Sequence, residues 1–208
     1  KDYAKKVNFV GTKNIVYELN KSKYIRWFFY SSTSHIYKFN NFKLKESSLK
    51  RPFSAYGKTK LQAEYYLKEK VSKNIRLCCG RIFSLEGRKK TESYFLPGLK
   101  SKIRKNKKIN LNMNNFRDFI HIDDVVKAIV ELMKKEVIGD FNIATGKKTS
   151  FLKIINIVKK IYKKKIFIEK LNDKDPKGSY ADIQKIQKAI KWTPRRNINY
   201  ILKDYFNK

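Results

Sequence analysis

Tyr56 and Lys60 stand four residues apart in the run Ser54-Ala55-Tyr56-Gly57-Lys58-Thr59-Lys60-Leu61-Gln62-Ala63-Glu64. On a helix that spacing puts both side chains on one face, one turn apart. A free phenol, with a pKa of about 10, is a poor base near neutrality. A neighbouring ammonium favours the phenolate and lowers that pKa. Lowering it by roughly three units takes about 4 kcal/mol of differential interaction. One lysine in a partly dry site and a second nearby cation could supply it between them. The pair is therefore a candidate proton-transfer device. The same spacing also fits an amphipathic helix with a half-buried Tyr and a solvated Lys, the commoner origin of Tyr-x-x-x-Lys in a Lys- and Tyr-rich chain.

The elements around the pair decide between these readings. Ile25-Arg26-Trp27-Phe28-Phe29-Tyr30 is mostly apolar and aromatic and reads as a buried strand. It runs into Ser31-Ser32-Thr33-Ser34-His35-Ile36-Tyr37, so hydroxyls emerge at the strand's carboxyl end. Open parallel sheets place their ligands there. A loop follows to Pro52, Ser54 is positioned to N-cap the Tyr56 helix, and a second strand is predicted over Ile75 to Ile82. Strand, hydroxyl cluster, loop, helix and strand make one right-handed crossover unit of a parallel sheet.

Six ordered motifs across nearly the whole chain resemble the extended short-chain dehydrogenase/reductases, specifically the NAD-dependent sugar-nucleotide epimerase/dehydratase family. They are Val7 to Ile15, Ser31 to Tyr37, Pro52 to Lys60, Arg117 to Val125 (Arg-Asp-Phe-Ile-His-Ile-Asp-Asp-Val), Phe141 to Gly146 (Phe-Asn-Ile-Ala-Thr-Gly), and Ala181-Asp182 with Trp192-Thr193-Pro194. The resemblance implies an α/β fold: a truncated Rossmann-like parallel sheet with a smaller C-terminal substrate-binding cap. The NAD(P)-binding part would span 1–83, with 118–146 returning to it, and 84–208 would be mostly the sugar-nucleotide-binding region.

The resemblance also implies roles. Tyr56 becomes the general acid/base at the sugar carbon being oxidised. Lys60 lowers the Tyr pKa and holds the nicotinamide ribose. Thr33 bonds the same sugar oxygen. Asn8 and Phe83 contact the cofactor, NAD or NADP. Arg117 pairs with the substrate diphosphate, a task that suits a planar guanidinium fork. Ser84 stands where the family has a substrate-contacting Asn. The implied activity is epimerisation or reduction of a nucleotide sugar, with dehydration or a catalytically inactive remnant as alternatives. Ser34 and His35 occupy the places of the acidic pair that dehydratases carry, which favours epimerase or reductase. No metal is implied, and a homodimer is compatible with the family's habit.

Some expected features are absent or altered. No G-x-x-G-x-x-G run and no acidic residue after one is present. The expectation is that leading strand–helix units, about 60–90 residues, precede Lys1. Arg88 replaces a family Pro, and the late phosphate-binding Arg has only Lys170 or Lys174 as stand-ins.

Composition sets further bounds. The chain has 208 residues, 41% hydrophobic, enough for one substantial core. No run approaches the roughly 18 apolar residues of a membrane span, so a membrane partner is not expected. Adjacent Cys78 and Cys79 sit in a predicted strand and point to opposite faces, so they are not expected to form a disulfide with each other; reduced thiols fit a cytoplasmic protein. The net charge of +32 is mostly Lys spread along the chain, without an Arg-rich stripe. Lys, Asn, Ile, Phe and Tyr abound while Gly and Pro are few, the bias of an AT-rich genome, and no nucleic-acid partner is expected.

Helices are further expected over about Tyr3 to Asn20, Tyr94 to Lys105, Asp123 (as N-cap) to Lys135, Ser150 (as cap) to Lys163, and Tyr200 to Tyr205. Residues Ser84 to Glu92 read as loop, and Lys108 to Leu111 and Asp140 to Ala144 as strands.

Overall fold

The computed structural model describes residues 2–87, 91–162, 166–171 and 177–206. Arg88, Lys174 and the expected helix end at Lys163 lie outside them. In chain order the elements are α1 (Asp2–Lys5), a π-helical stretch Lys6–Val10, α2 (Gly11–Lys21), β1 (Trp27–Thr33), a 3-10 turn Ser34–Ile36, α3 (Ala55–Lys70), β2 (Arg76–Ile82), β3 (Ser84–Glu86), α4 (Phe95–Arg104), β4 (Ile109–Leu111), β5 (Phe116–Arg117), β6 (Phe119–His121), α5 (Ile122–Lys134), β7 (Gly139–Ile143), β8 (Thr149–Ser150), α6 (Phe151–Tyr162), β9 (Ile168–Lys170), β10 (Gly178–Ser179), α7 (Gln184–Ile190) and α8 (Ile198–Phe206).

β1, β2 and β7 form a three-stranded parallel sheet in the order β1-β2-β7. Thr33 pairs with Ile82 and Ile82 with Ile143, so the three carboxyl ends are level. The hydroxyl run therefore opens at the ligand-binding end of a parallel sheet. Helices α2 and α3 cover one face through Val16, Tyr30, Ala63, Leu67 and Cys79. Helix α5 covers the other with Val125, Ala128 and Leu132, spaced along one stripe and packed on Cys78, Phe141 and Ile143. A second layer, α4, α6 and α8, closes its own core around Leu96, Ile103, Phe151, Ile154, Val158 and Ile201.

Several boundaries differ from expectation. The hydroxyls of Ser31 to Thr33 lie inside β1, because the backbone pairing with β2 continues to Ile82. Ser84 to Glu86 is a strand and not a loop, paired in parallel with β6. Helix α5 starts two residues early, at Ile122, and its N-cap is His121 rather than Asp123: the imidazole Nδ1 accepts from the Asp123 N–H at 3.2 Å. Asp123 instead pairs with Arg196 at 2.7 Å. Ser150 does cap α6, accepting from the Lys153 N–H at 3.2 Å. Helix α7 had no sequence expectation; its Ile186 and Ile190, with Trp192, pack into the sheet core.

The long loop after β1 shields the outer edge of β7. Glu46 accepts the Asn142 N–H at 2.8 Å, the Leu44 carbonyl accepts from Asn142 Nδ2 at 2.8 Å, and the Tyr37 hydroxyl donates to Asn142 Oδ1 at 2.8 Å. The Asn142 N–H, a donor that a bare edge strand would offer to another chain, is thereby satisfied.

Candidate active site

Helix α3 is fixed at its first turn. The Ser54 hydroxyl accepts the Gly57 N–H at 3.0 Å, satisfying one of the free donors at a helix start. Gly57 lies against the His35 carbonyl so closely that a Cβ there would be 2.3 Å from the oxygen. The turn that carries Tyr56 is thus seated directly on the loop that follows Thr33.

This seating brings three expected residues together. The Thr33 hydroxyl lies beside the Tyr56 phenol and acts on it to lower its pKa. Thr33 Oγ1 also accepts the His35 N–H at 3.3 Å, which holds the hydroxyl in place. Tyr56 is 42% exposed, so its ring borders open space while its hydroxyl faces the strand end. One turn on, the Lys60 ammonium donates to the Ser31 carbonyl at 2.9 Å and lies 4.8 Å from the Tyr30 ring centroid. Among the described residues Lys60 has no carboxylate partner.

The electrostatics differ from the expectation for Lys60. Burial raises the Tyr56 pKa, the nearby Thr33 hydroxyl opposes that rise, and Tyr94 adds to it; Lys60 is not among the groups that act on it. Burial also lowers the Lys60 pKa. An ammonium stripped of water takes the nearest acceptor, here the β1 backbone, instead of the phenol oxygen. In the protein alone the phenol stays protonated.

Asn8 donates to Thr59 Oγ1 at 3.2 Å, and Thr59 donates to the Tyr56 carbonyl at 3.0 Å. The π-helical stretch that carries Asn8, a distortion often found at functional positions, is therefore tied to the Tyr56 turn. Phe83 is placed differently from a ligand-lining residue: it is 3% exposed and packs against Tyr37. Ser84 sits in β3, its N–H donating to the Asp118 carbonyl at 3.0 Å.

Arg117 spreads its guanidinium over the rings of Phe39 and Phe151, 5.5 and 5.6 Å from their centroids. It donates to the Phe116 and Lys177 carbonyls at 2.8 and 3.1 Å. Burial lowers its pKa. Among the described residues it has no carboxylate partner, which leaves a cation ready for an anionic ligand.

Two supporting centres were not anticipated. Arg81 and Glu64 are both fully buried and joined by two hydrogen bonds, 3.1 and 2.8 Å. Arg81 also reaches Asp140 at 2.5 Å, the Tyr37 hydroxyl at 2.9 Å and the Glu46 carbonyl at 2.8 Å. Burial disfavours the Arg81 charge, but Glu64, Tyr37 and Asp140 outweigh it and raise the pKa. The network bolts α3 to the sheet two turns beyond Tyr56. The signal was present as an arginine in an otherwise apolar strand, a residue type that is rarely buried unpaired. The second centre is Asp118, fully buried, whose carboxylate accepts from the Thr145 N–H and hydroxyl, the Gly146 N–H and the Ala181 N–H. It ties three of the recognised motifs into one knot beside β3.

The residues present fit the nicotinamide-ribose end of a dinucleotide: a lysine without a carboxylate partner, a half-exposed tyrosine, and the Ser32 hydroxyl, buried without a hydrogen-bond partner among the described residues, near the same strand end.

Comparison with known proteins identifies the family. A profile of the NAD dependent epimerase/dehydratase family matches residues 1–144. An uncharacterized UDP-glucose epimerase, YtcB, of Bacillus subtilis (strain 168) is 28% identical over 183 residues, 84% of this chain and 57% of that protein. The ADP-L-glycero-D-manno-heptose-6-epimerase of Brachyspira hyodysenteriae is 29% identical over 98% of this chain and 69% of its own length. The crystal structure of UDP-glucuronic acid 4-epimerase from Bacillus cereus, in complex with UDP-glucuronic acid and NAD, superposes with a TM-score of 0.85 at 26% identity, covering 96% of this chain and 66% of that one. The chain thus spans between 57 and 69% of these relatives' lengths.

Proposed function

We propose, from the premise that this chain belongs to the NAD dependent epimerase/dehydratase family, that its site serves the epimerisation of a nucleoside-diphosphate sugar through transient oxidation of one sugar carbon. The observation that carries this reading is the placement of the Thr33 hydroxyl beside the Tyr56 phenol, with Lys60 one turn along α3.

Thr33 and Tyr56 converge on one point, where the sugar hydroxyl is taken up. Tyr56 accepts that hydroxyl's proton as its carbon is oxidised, and returns it when the carbonyl is reduced. Hydride returned to the opposite face would invert the carbon, and starting from the carbonyl would give a reductase instead. NAD or NADP, when bound, supplies the hydride acceptor and donor. Lys60 and Tyr56 hold its ribose, with Asn8 and Phe83 assigned nearby by family resemblance only. Because burial keeps the phenol protonated, it works as a base near neutrality only when further positive charge arrives with the cofactor; three pKa units correspond to about 4 kcal/mol. Arg117 takes the diphosphate, and Ser84 is assigned to the substrate by family resemblance only. We place the protein in the cytoplasm, in keeping with two buried free cysteines; among the described residues no helix is long and apolar enough to cross a membrane.

The test is to incubate the purified protein with NAD and UDP-glucuronate or UDP-glucose and follow the sugar C4 proton by NMR. Appearance of the C4 epimer is expected. Absence of both product and saturable binding of either sugar nucleotide would overturn the reading.

A further inference from the structure

His35 is a titratable group against the proton-transfer pair to which the mechanism above gives no task. Its backbone N–H holds Thr33 and its carbonyl is pressed against Gly57, so the residue is fixed between β1 and α3. Its ring meets Tyr56 edge-on, 5.7 Å between centroids, and lies 5.3 Å from Phe53. Phe53 is 4.3 Å from Phe39, whose other neighbour is the Arg117 guanidinium at 5.5 Å. An imidazole and a guanidinium thus stand at the two ends of a short aromatic wall. The groups facing His35 are Thr33 from β1, Tyr56 from α3, with Tyr94 beyond it, and Arg117 from β5. Among the described residues no carboxylate acts on the imidazole; partial burial first, and then the Arg117 charge, lower its pKa, while the side chain keeps an exposed surface.

We propose that His35 and Arg117 form one anion-recognising edge of the site, so that His35 is a specificity-determining residue for an anionic group of the substrate. The proposal rests on the nucleotide-sugar reading. Two parts of such a substrate carry the required chemistry: the diphosphate, and a carboxylate on the sugar of a uronic acid. An anion lodged at this edge stabilises the imidazolium. By linkage, affinity rises as pH falls through the pKa of the liganded imidazole and levels off below that of the free one. Each unit by which the anion raises that pKa is worth about tenfold in affinity.

The experiment measures dissociation constants of UDP-glucose, UDP-glucuronate and inorganic pyrophosphate between pH 5 and 8. Imidazole NMR titrations run in parallel; the chain has two histidines, and the His35→Gln variant identifies the signal. The expected result is tighter binding at low pH, a raised His35 pKa with ligand, and loss of the pH dependence in His35→Gln. The same pH dependence for both sugar nucleotides assigns the anion to the diphosphate; a dependence seen for UDP-glucuronate alone assigns it to the sugar carboxylate. Binding of the sugar nucleotides with no change in His35 titration overturns the proposal and leaves the proposed function standing. A His35 response to pyrophosphate without sugar-nucleotide binding supports the anion edge and overturns the proposed function. No response to any of the three overturns both.

Discussion

Arg81→Met tests whether the buried charge network sets the stability of the layer that carries Tyr56. The guanidinium has no exposed surface and makes two bonds to Glu64, one to Asp140 and one each to the Tyr37 hydroxyl and the Glu46 carbonyl. Methionine fills much of the space but removes the charge. Asp140 keeps Lys68 at 2.6 Å, so its loss is modest. Glu64, with no exposure, is left without its cation, and breaking a buried pair on one side costs about 3–5 kcal/mol. Domains of this size hold about 5–15 kcal/mol in all, so the variant should unfold at a much lower urea concentration. Replacing both partners, Arg81→Met with Glu64→Leu, removes the orphaned carboxylate and should recover at least about half of the loss, because apolar pairs often substitute for buried ions at little cost. Urea unfolding followed by far-ultraviolet circular dichroism, run as a double-mutant cycle, measures both numbers. A single-variant loss below about 1 kcal/mol, or a double variant less stable than the single, refutes the reasoning.

Gly57→Ala places a methyl group 2.3 Å from a backbone oxygen. Forced overpacking of this kind costs about 1–3 kcal/mol, and the shift of α3 should weaken cofactor binding as well; isothermal titration with NAD alongside the melt checks the pairing of the two losses. Asp118→Ala leaves four donors without their acceptor, and a loss of about 3 kcal/mol or more is expected in the same urea assay. His121 carries a pKa lowered chiefly by burial, so the unfolded chain binds its proton more readily than the folded one. The stability this neutral cap supplies is present above the unfolded pKa of about 6.5 and is lost as pH falls toward the lower folded value. Melting temperatures from pH 8 to 5 should therefore drop, and less steeply in His121→Asn.

The crossover unit was legible because its residues report their own environment. An aromatic run ending in hydroxyls reads as a strand that delivers them to a sheet end, and Ser54 marks the helix start, as its bond to Gly57 bears out. Helices α5 and α6 lie where the sequence placed them. What stayed hidden depends on distant partners. Helix α7 is seven residues with two buried isoleucines, too short for a periodic signal. The α5 cap passed from Asp123 to His121 because Arg196, more than seventy residues away, draws the Asp123 carboxylate. Strand β3 exists only through β6. At the site, the spacing of Tyr56 and Lys60 predicted a shared face, but not that the ammonium would turn to the Ser31 carbonyl. The Arg81–Glu64 pair joins a strand to a helix, and periodicity within either element cannot reveal such a partner.

Comparing wild type with Tyr56→Phe for epimer formation from a nucleotide sugar in the presence of NAD is the most direct check on the proton-transfer role. The substitution keeps the ring against His35 and removes only the hydroxyl that Thr33 orients. Loss of a positioned general acid/base predicts a fall in kcat of about 10²–10⁴-fold, with NAD affinity changed far less. Equal turnover in the two proteins would contradict it.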